Sequence, residues 1–214
     1  QPNPICMVTV SESNKNIIVW VVPDENPYES IVIYKESSQS DVYNVIGTQS
    51  VNEPTFFIDE NSNPSQNSSR YKLAVIDTCG YETDLSDYHK TMHLTINAGM
   101  DGAWNLIWDR YEGFDYPSFH IYRGTSDGSL TQIAEQASNT FTYSDLTPPS
   151  GTVYYQIAVV NPNPCNINIK KSSQNDYSSA RSNIVNSQDA TSVHEIELNN
   201  INIYPNPVSD LLYI

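Results

Sequence analysis

Hydrophobic and polar positions alternate with a period of two through most of the chain, the spacing of strands that bury one face. In the clearest run Trp104, Leu106 and Trp108 share a face, with Asn105 and Asp109 opposite. Phe119 and Ile121 face one way, His120 and Tyr122 the other, and Tyr155, Ile157 and Val159 oppose Gln156. Turn-forming clusters separate such runs, among them Pro23-Asp24-Glu25-Asn26-Pro27 and Thr147-Pro148-Pro149-Ser150-Gly151. No window of a dozen residues carries the stripe of an amphipathic helix. The pattern predicts about seven short strands per hundred residues, an antiparallel two-sheet sandwich.

The pattern also repeats, at a period of about 86 residues. Asn16-Ile17-Ile18-Val19-Trp20 recurs as Trp104-Asn105-Leu106-Ile107-Trp108, and Ile31-Val32-Ile33-Tyr34-Lys35 as Phe119-His120-Ile121-Tyr122-Arg123. Tyr71-Lys72-Leu73-Ala74-Val75 recurs as Tyr155-Gln156-Ile157-Ala158-Val159, Cys79 matches Cys165, and Asp59 matches Asp145. Met92-His93-Leu94-Thr95-Ile96 aligns with Cys6-Met7-Val8-Thr9-Val10, which puts the boundary there. The expected organisation is an all-β chain with one sandwich over 1–93, a second over 94–187, and a linker and strand-forming tail over 188–214. With hardly a linker between them, the two sandwiches should be stiffly coupled, as a rod.

Composition agrees and narrows the partners. Only 16% of residues are charged, whereas Tyr numbers 15 and Pro 13, which favours strands and turns over helices. The net charge of −15, with ten Lys and Arg, would repel a phosphate backbone or an anionic bilayer, so neither nucleic acid nor membrane insertion is expected. No stretch approaches the ~20 apolar residues of a membrane span. The opening Gln1-Pro2-Asn3-Pro4 reads like a linker and predicts a longer protein upstream.

Several of these blocks carry a family resemblance. A Trp late in the second strand, Ile-Tyr-Lys/Arg ending the third, and Tyr-x-Leu/Ile-x-Val in the sixth resemble fibronectin type III domains, over roughly residues 5–187. Cys79-Gly80-Tyr81-Glu82-Thr83-Asp84-Leu85-Ser86 resembles their sixth-to-seventh strand turn. The resemblance implies an immunoglobulin-like sandwich in each half. In that topology the start of the first strand and the sixth-to-seventh loop share one pole, which implies a Cys6–Cys79 disulfide and leaves Cys165 unpaired within its domain. The tail Ile203-Tyr204-Pro205-Asn206-Pro207-Val208 is similar to the opening of the carboxy-terminal sorting domain of the type IX secretion system of Gram-negative bacteria. Tyr204, Pro205, Asn206 and Pro207 form its core, and the resemblance implies the secretion machinery as partner and a location outside the cell.

Candidate chemistry is sparse. No Ser or Cys nucleophile stands in a glycine elbow, and the three cysteines lack zinc spacing. His89 and His93 are four apart, about 13 Å along a strand and too far for one ion. No catalytic residue, metal ligand or cofactor is assigned. The acidic, aromatic stretch Asp109-Arg110-Tyr111-Glu112-Gly113-Phe114-Asp115-Tyr116 stands out. Asp109, Glu112 and Asp115 with Tyr111, Phe114 and Tyr116 could hold calcium or a sugar, with Asp101 the nearest further carboxylate. Alternatively, because the second-to-third strand loop of a fibronectin-like domain faces the preceding domain, the rings fill an interdomain contact. The expected function is a non-catalytic structural or adhesion-type module of a larger secreted or cell-surface bacterial protein, its target a surface protein or glycan. The alternatives are an accessory region of a secreted enzyme with its catalytic domain upstream, and a carbohydrate-binding module.

Overall fold

The computed structural model describes residues 5–21, 28–165 and 177–190. The turn at Pro23–Pro27, most of the tail and the Tyr204–Pro207 motif lie outside the described residues. The first half contains β1 (Ile5–Val10), β2 (Asn16–Trp20), β3 (Tyr28–Glu36), β4 (Tyr43–Ser50), β5 (Phe56–Asp59), β6 (Arg70–Asp77) and β7 (His89–Lys90). They form two antiparallel sheets, ordered β1-β2-β5 and β4-β3-β6-β7. The second half contains β8 (Leu94–Ala98), β9 (Trp104–Trp108), β10 (Ser118–Gly124), β11 (Thr131–Ala137), β12 (Thr142–Asp145), β13 (Tyr154–Val160), β14 (Ser179–Arg181) and β15 (Val185–Asn186). Its sheets repeat the same order, β12-β9-β8 and β11-β10-β13-β14, with β15 also on β13. Each half is thus an immunoglobulin-like sandwich with the fibronectin type III-like strand order.

The alternating residues land where their period sends them. Trp108, Phe119, Ile121, Tyr155, Ile157 and Val159 are buried between the sheets of the second sandwich. Ile18, Trp20, Ile31, Ile33, Tyr71, Leu73 and Val75 do the same in the first. β2 departs from the half-buried pattern, because all five of its residues are buried. A single cluster of buried apolar side chains runs through both sandwiches, so the outer face of the β1-β2 sheet is an interior surface too.

The last strand of each sandwich is interrupted, and a serine bridges the gap in each. Ser86 donates its N–H to the Leu73 carbonyl, and its Oγ accepts from the Leu73 N–H at 3.0 Å. Ser182 does the same to Ile157, again at 3.0 Å to the hydroxyl. The sequence pattern predicts one unbroken strand over Tyr177–Val185, but Ser182–Ile184 leaves the ladder. The Asn183 amide turns instead to β8, where Oδ1 accepts from the Leu94 N–H at 2.8 Å and Nδ2 donates to the Leu94 carbonyl at 3.0 Å. This side-chain pair mimics a strand rung and ties the two sheets together.

Candidate functional site at the interdomain seam

The loop between β9 and β10 leaves its own sandwich and joins the first one. Lys90 of β7 and Glu112 exchange backbone hydrogen bonds, at 2.7 and 3.4 Å, so the loop extends the sheet edge of the first sandwich by one rung. Beside that rung the Tyr111 ring is driven into the first sandwich until 1% of it is exposed. Its hydroxyl accepts from the Val8 N–H at 3.3 Å and meets His89 Nδ1 at 3.1 Å. Val8 takes one acceptor position of the hydroxyl and leaves its proton free to go to Nδ1, a bond that requires the neutral imidazole. Burial suits that state: it pulls the His89 pKa down to about 4, with Asp87 opposing. Burial likewise pushes the Tyr111 phenol above its usual range.

Gly113 is required at this point. Its φ is +147°, and a Cβ there would land on the His89 ring. The rings continue the contact inward. Tyr111 lies 4.5 Å from Phe114 and 6.1 Å from Tyr116, and Tyr116 lies 5.1 Å from Phe119 in the core of the second sandwich. A ladder of aromatic rings therefore connects His89 of one core to Phe119 of the other.

Two of the acidic groups of the loop, Asp109 and Glu112, are held by the first sandwich. Asp109 Oδ2 accepts from the Ser68 hydroxyl at 2.6 Å, and Glu112 Oε2 from the Tyr88 hydroxyl at 2.6 Å. Lys90 and Arg70 approach Glu112 at 3.7 and 3.6 Å. Burial acts to raise the Glu112 pKa, but Tyr88, Lys90 and Arg70 outweigh it and hold the carboxyl below its usual range. Asp115 and Arg110 are exposed, on an open groove of about 600 Å³ that Tyr88 and Phe114 also line. Asp101 is exposed in a 3-10 turn with φ +55°. Among the described residues no three His, Cys, Asp or Glu side chains gather as a metal site would. His89 and His93 go to separate partners, His93 Nδ1 to the Pro64 carbonyl at 2.8 Å.

The second half of the seam corrects the expected disulfide. Cys6 is bonded to Cys165, not to Cys79, with their Cα atoms 5.9 Å apart. Cys79 is free and exposed, on the Asp77–Tyr81 turn, where its N–H is donated to the Asp77 carboxylate at 2.8 Å. The reason lies in the docking. β1 presents its outer edge to the second sandwich, where the Thr9 hydroxyl accepts from the Arg181 N–H at 2.9 Å and the Asn161 amide donates to the Cys6 carbonyl at 3.4 Å. Nearby, Phe56 and Tyr177 stack across the seam at 6.4 Å. The sandwiches accordingly meet along the length of β1 as well as at the β7–β8 junction, side by side where a rod was expected.

A buried polar cluster recurs in each sandwich at matching positions. Asp59, ending β5, takes Lys35 Nζ at 2.8 Å and the Tyr71 hydroxyl at 2.8 Å. Asp145, ending β12, takes Arg123 Nη1 at 2.8 Å and the Tyr155 hydroxyl at 2.7 Å. Burial first, then the neighbouring carboxylate, raises both phenols above their usual range. All six residues stand in the sequence repeat, but only the folded sheets bring each triad together. Such a cluster is a satisfied structural group, because each carboxylate oxygen faces a donor.

No protein-family model matches the sequence, and no curated protein does. Solved structures do align with it. Erwinia chrysanthemi pectate lyase PelI, in complex with tetragalacturonic acid, is 22% identical over 46% of this chain with a TM-score of 0.36. The FN1–FN3 domains of chicken CNTN1 are 8% identical over 86% of the chain, TM-score 0.33. A two-domain fibronectin type III segment of chicken tenascin is 11% identical over 86% of the chain and 96% of its own length, TM-score 0.31. The chain spans 28% of the PelI chain and 65% of the CNTN1 segment. Fold class rests on the strand order above, two tandem immunoglobulin-like sandwiches, and fibronectin type III arrays stand among the structural neighbours at low identity.

Proposed function

We propose that this chain is a non-catalytic structural module of a secreted or cell-surface bacterial protein, in which two sandwiches act as one rigid body outside the cell. The observation that carries the reading is the seam. The aromatic loop plugs one core into the other, and the Cys6–Cys165 bond fixes the far side. Tyr111 with its partner His89, and Glu112 with its partner Tyr88, are engaged in interdomain contacts, which supports a mechanical role for them over an acid–base one. A disulfide between domains suits an oxidising compartment. The similarity of Tyr204-Pro205-Asn206-Pro207 to a sorting segment supports export by the secretion machinery.

The test is export itself. Removing residues 188–214 in the full-length protein, together with the rest of any sorting domain, is expected to leave both sandwiches folded and the protein in the periplasm. Arrival outside the cell at the normal level would refute the export reading.

A further inference from the structure

We infer that the Cys6–Cys165 bond carries tension across this module and takes the first sandwich, and the second as far as β13, out of the covalent load path. The argument is covalent topology. The bond joins the first strand of the first sandwich to the segment just before the last strand of the second, across a sequence separation of 159 residues. Everything between the two cysteines, which includes β1 from Met7 onward and all strands through β13, is a closed loop. A pull that enters at Ile5 crosses the sulfur bridge to Cys165 and proceeds toward β14 and β15, so the strand inside the loop that it meets is β13, through the pairs that β14 and β15 make with it.

Without the bond the same pull would act on β1 first. β1 is an edge strand of its sheet, held to β2 by pairs from Ile5↔Trp20 to Val10↔Asn16 and to the second sandwich by Tyr111 and Arg181. Stripping it would open the first core, and the chain of both sandwiches would follow. With the bond, covalent load can reach only the chain beyond Cys165. There β14 is paired to β13 at Ala158↔Arg181, Val159↔Ala180 and Val160↔Ser179, and β15 at Tyr154↔Asn186 and Tyr155↔Val185. The shielded loop amounts to about 540 Å of extended chain, whereas everything after Cys165 amounts to about 170 Å. In the folded state the loop closes on a Cα separation of 5.9 Å, so the bond hides nearly all of that length.

This inference rests on the same bond as the rigid-body reading, whereas the export reading stands whether or not it fails. The experiment is single-molecule pulling on the whole chain with handles at its two ends. Oxidised protein is expected to show no total gain in contour length above about 170 Å. The same protein pulled in a dithiol reductant, or as the Cys6→Ser/Cys165→Ser double variant, is expected to gain about 540 Å more. Should the double variant not fold, the reductant arm decides. Gains of about 300 Å per sandwich in oxidised protein would overturn the inference, as would a reduced record as short as the oxidised one.

Discussion

At the scale of residues, the seam turns on His89 and the two groups placed against it, the Tyr111 hydroxyl and the backbone of Gly113. A neutral imidazole is the form that accepts from Tyr111, and burial lowers the His89 pKa to about 4 while an unfolded chain titrates near 6.5. The unfolded state therefore binds more protons between these values, so the His89 contribution is complete above pH 6.5 and is lost as pH falls toward 4. The shift is worth on the order of 3 kcal/mol at its full extent. Urea unfolding from pH 7 to 4 should show wild-type protein losing more stability than His89→Gln, and equal losses would exclude His89 as the titrating group. Tyr111→Phe removes the hydroxyl that serves Val8 and His89 and should cost about 1–2 kcal/mol in the same assay. Gly113→Ala must displace the His89 ring, so its cost should exceed that of alanine at Gly128, where no atom lies within reach of a Cβ.

At the scale of elements, what the sequence makes legible is whatever repeats or alternates. The blocks at Trp20 and Trp108, Tyr34 and Tyr122, and Leu73 and Ile157 predict the strands, because one buried face per strand imposes a period of two. Asp59, Lys35 and Tyr71 recur as Asp145, Arg123 and Tyr155, and their recurrence is visible in sequence. Their chemistry is not, because Lys35 and Tyr71 pair across β3 and β6 in one sheet while Asp59 ends β5 in the other, and only sandwich closure brings the carboxylate to them. Asp145→Ala would leave Arg123 and the Tyr155 hydroxyl without their acceptor. With Arg123 partly exposed, thermal unfolding should register a loss of about 2 kcal/mol. Asp145→Asn, which keeps an acceptor, should lose less. The break at Ser182–Ile184 is illegible for the same reason as the triads, since Asn183 answers to Leu94, far away in sequence.

At the scale of the whole molecule, the tandem arrangement follows from sequence and the docking does not. Cys79 and Cys165 match in the repeat, but topology within the first sandwich favours Cys79 as the partner of Cys6, and only the docking brings Cys165 there. The choice is made by how β1 lies against the second sandwich, which depends on Tyr111, Thr9, Asn161 and Arg181 jointly, residues more than 100 positions apart in places. Closing a loop of this length adds about 5 kcal/mol in the chain-entropy model. Reduction should accordingly lower the midpoint of urea unfolding while the shared core keeps it a single step for both sandwiches.

The central claim, that two sandwiches form one body clamped through β1, is tested most directly by mapping the disulfide in the oxidised protein. Alkylation under denaturing, non-reducing conditions followed by peptide mass analysis should label Cys79 alone and recover the Cys6 peptide linked to the Cys165 peptide. Recovery of Cys6 linked to Cys79, or labelling of all three cysteines, would contradict it.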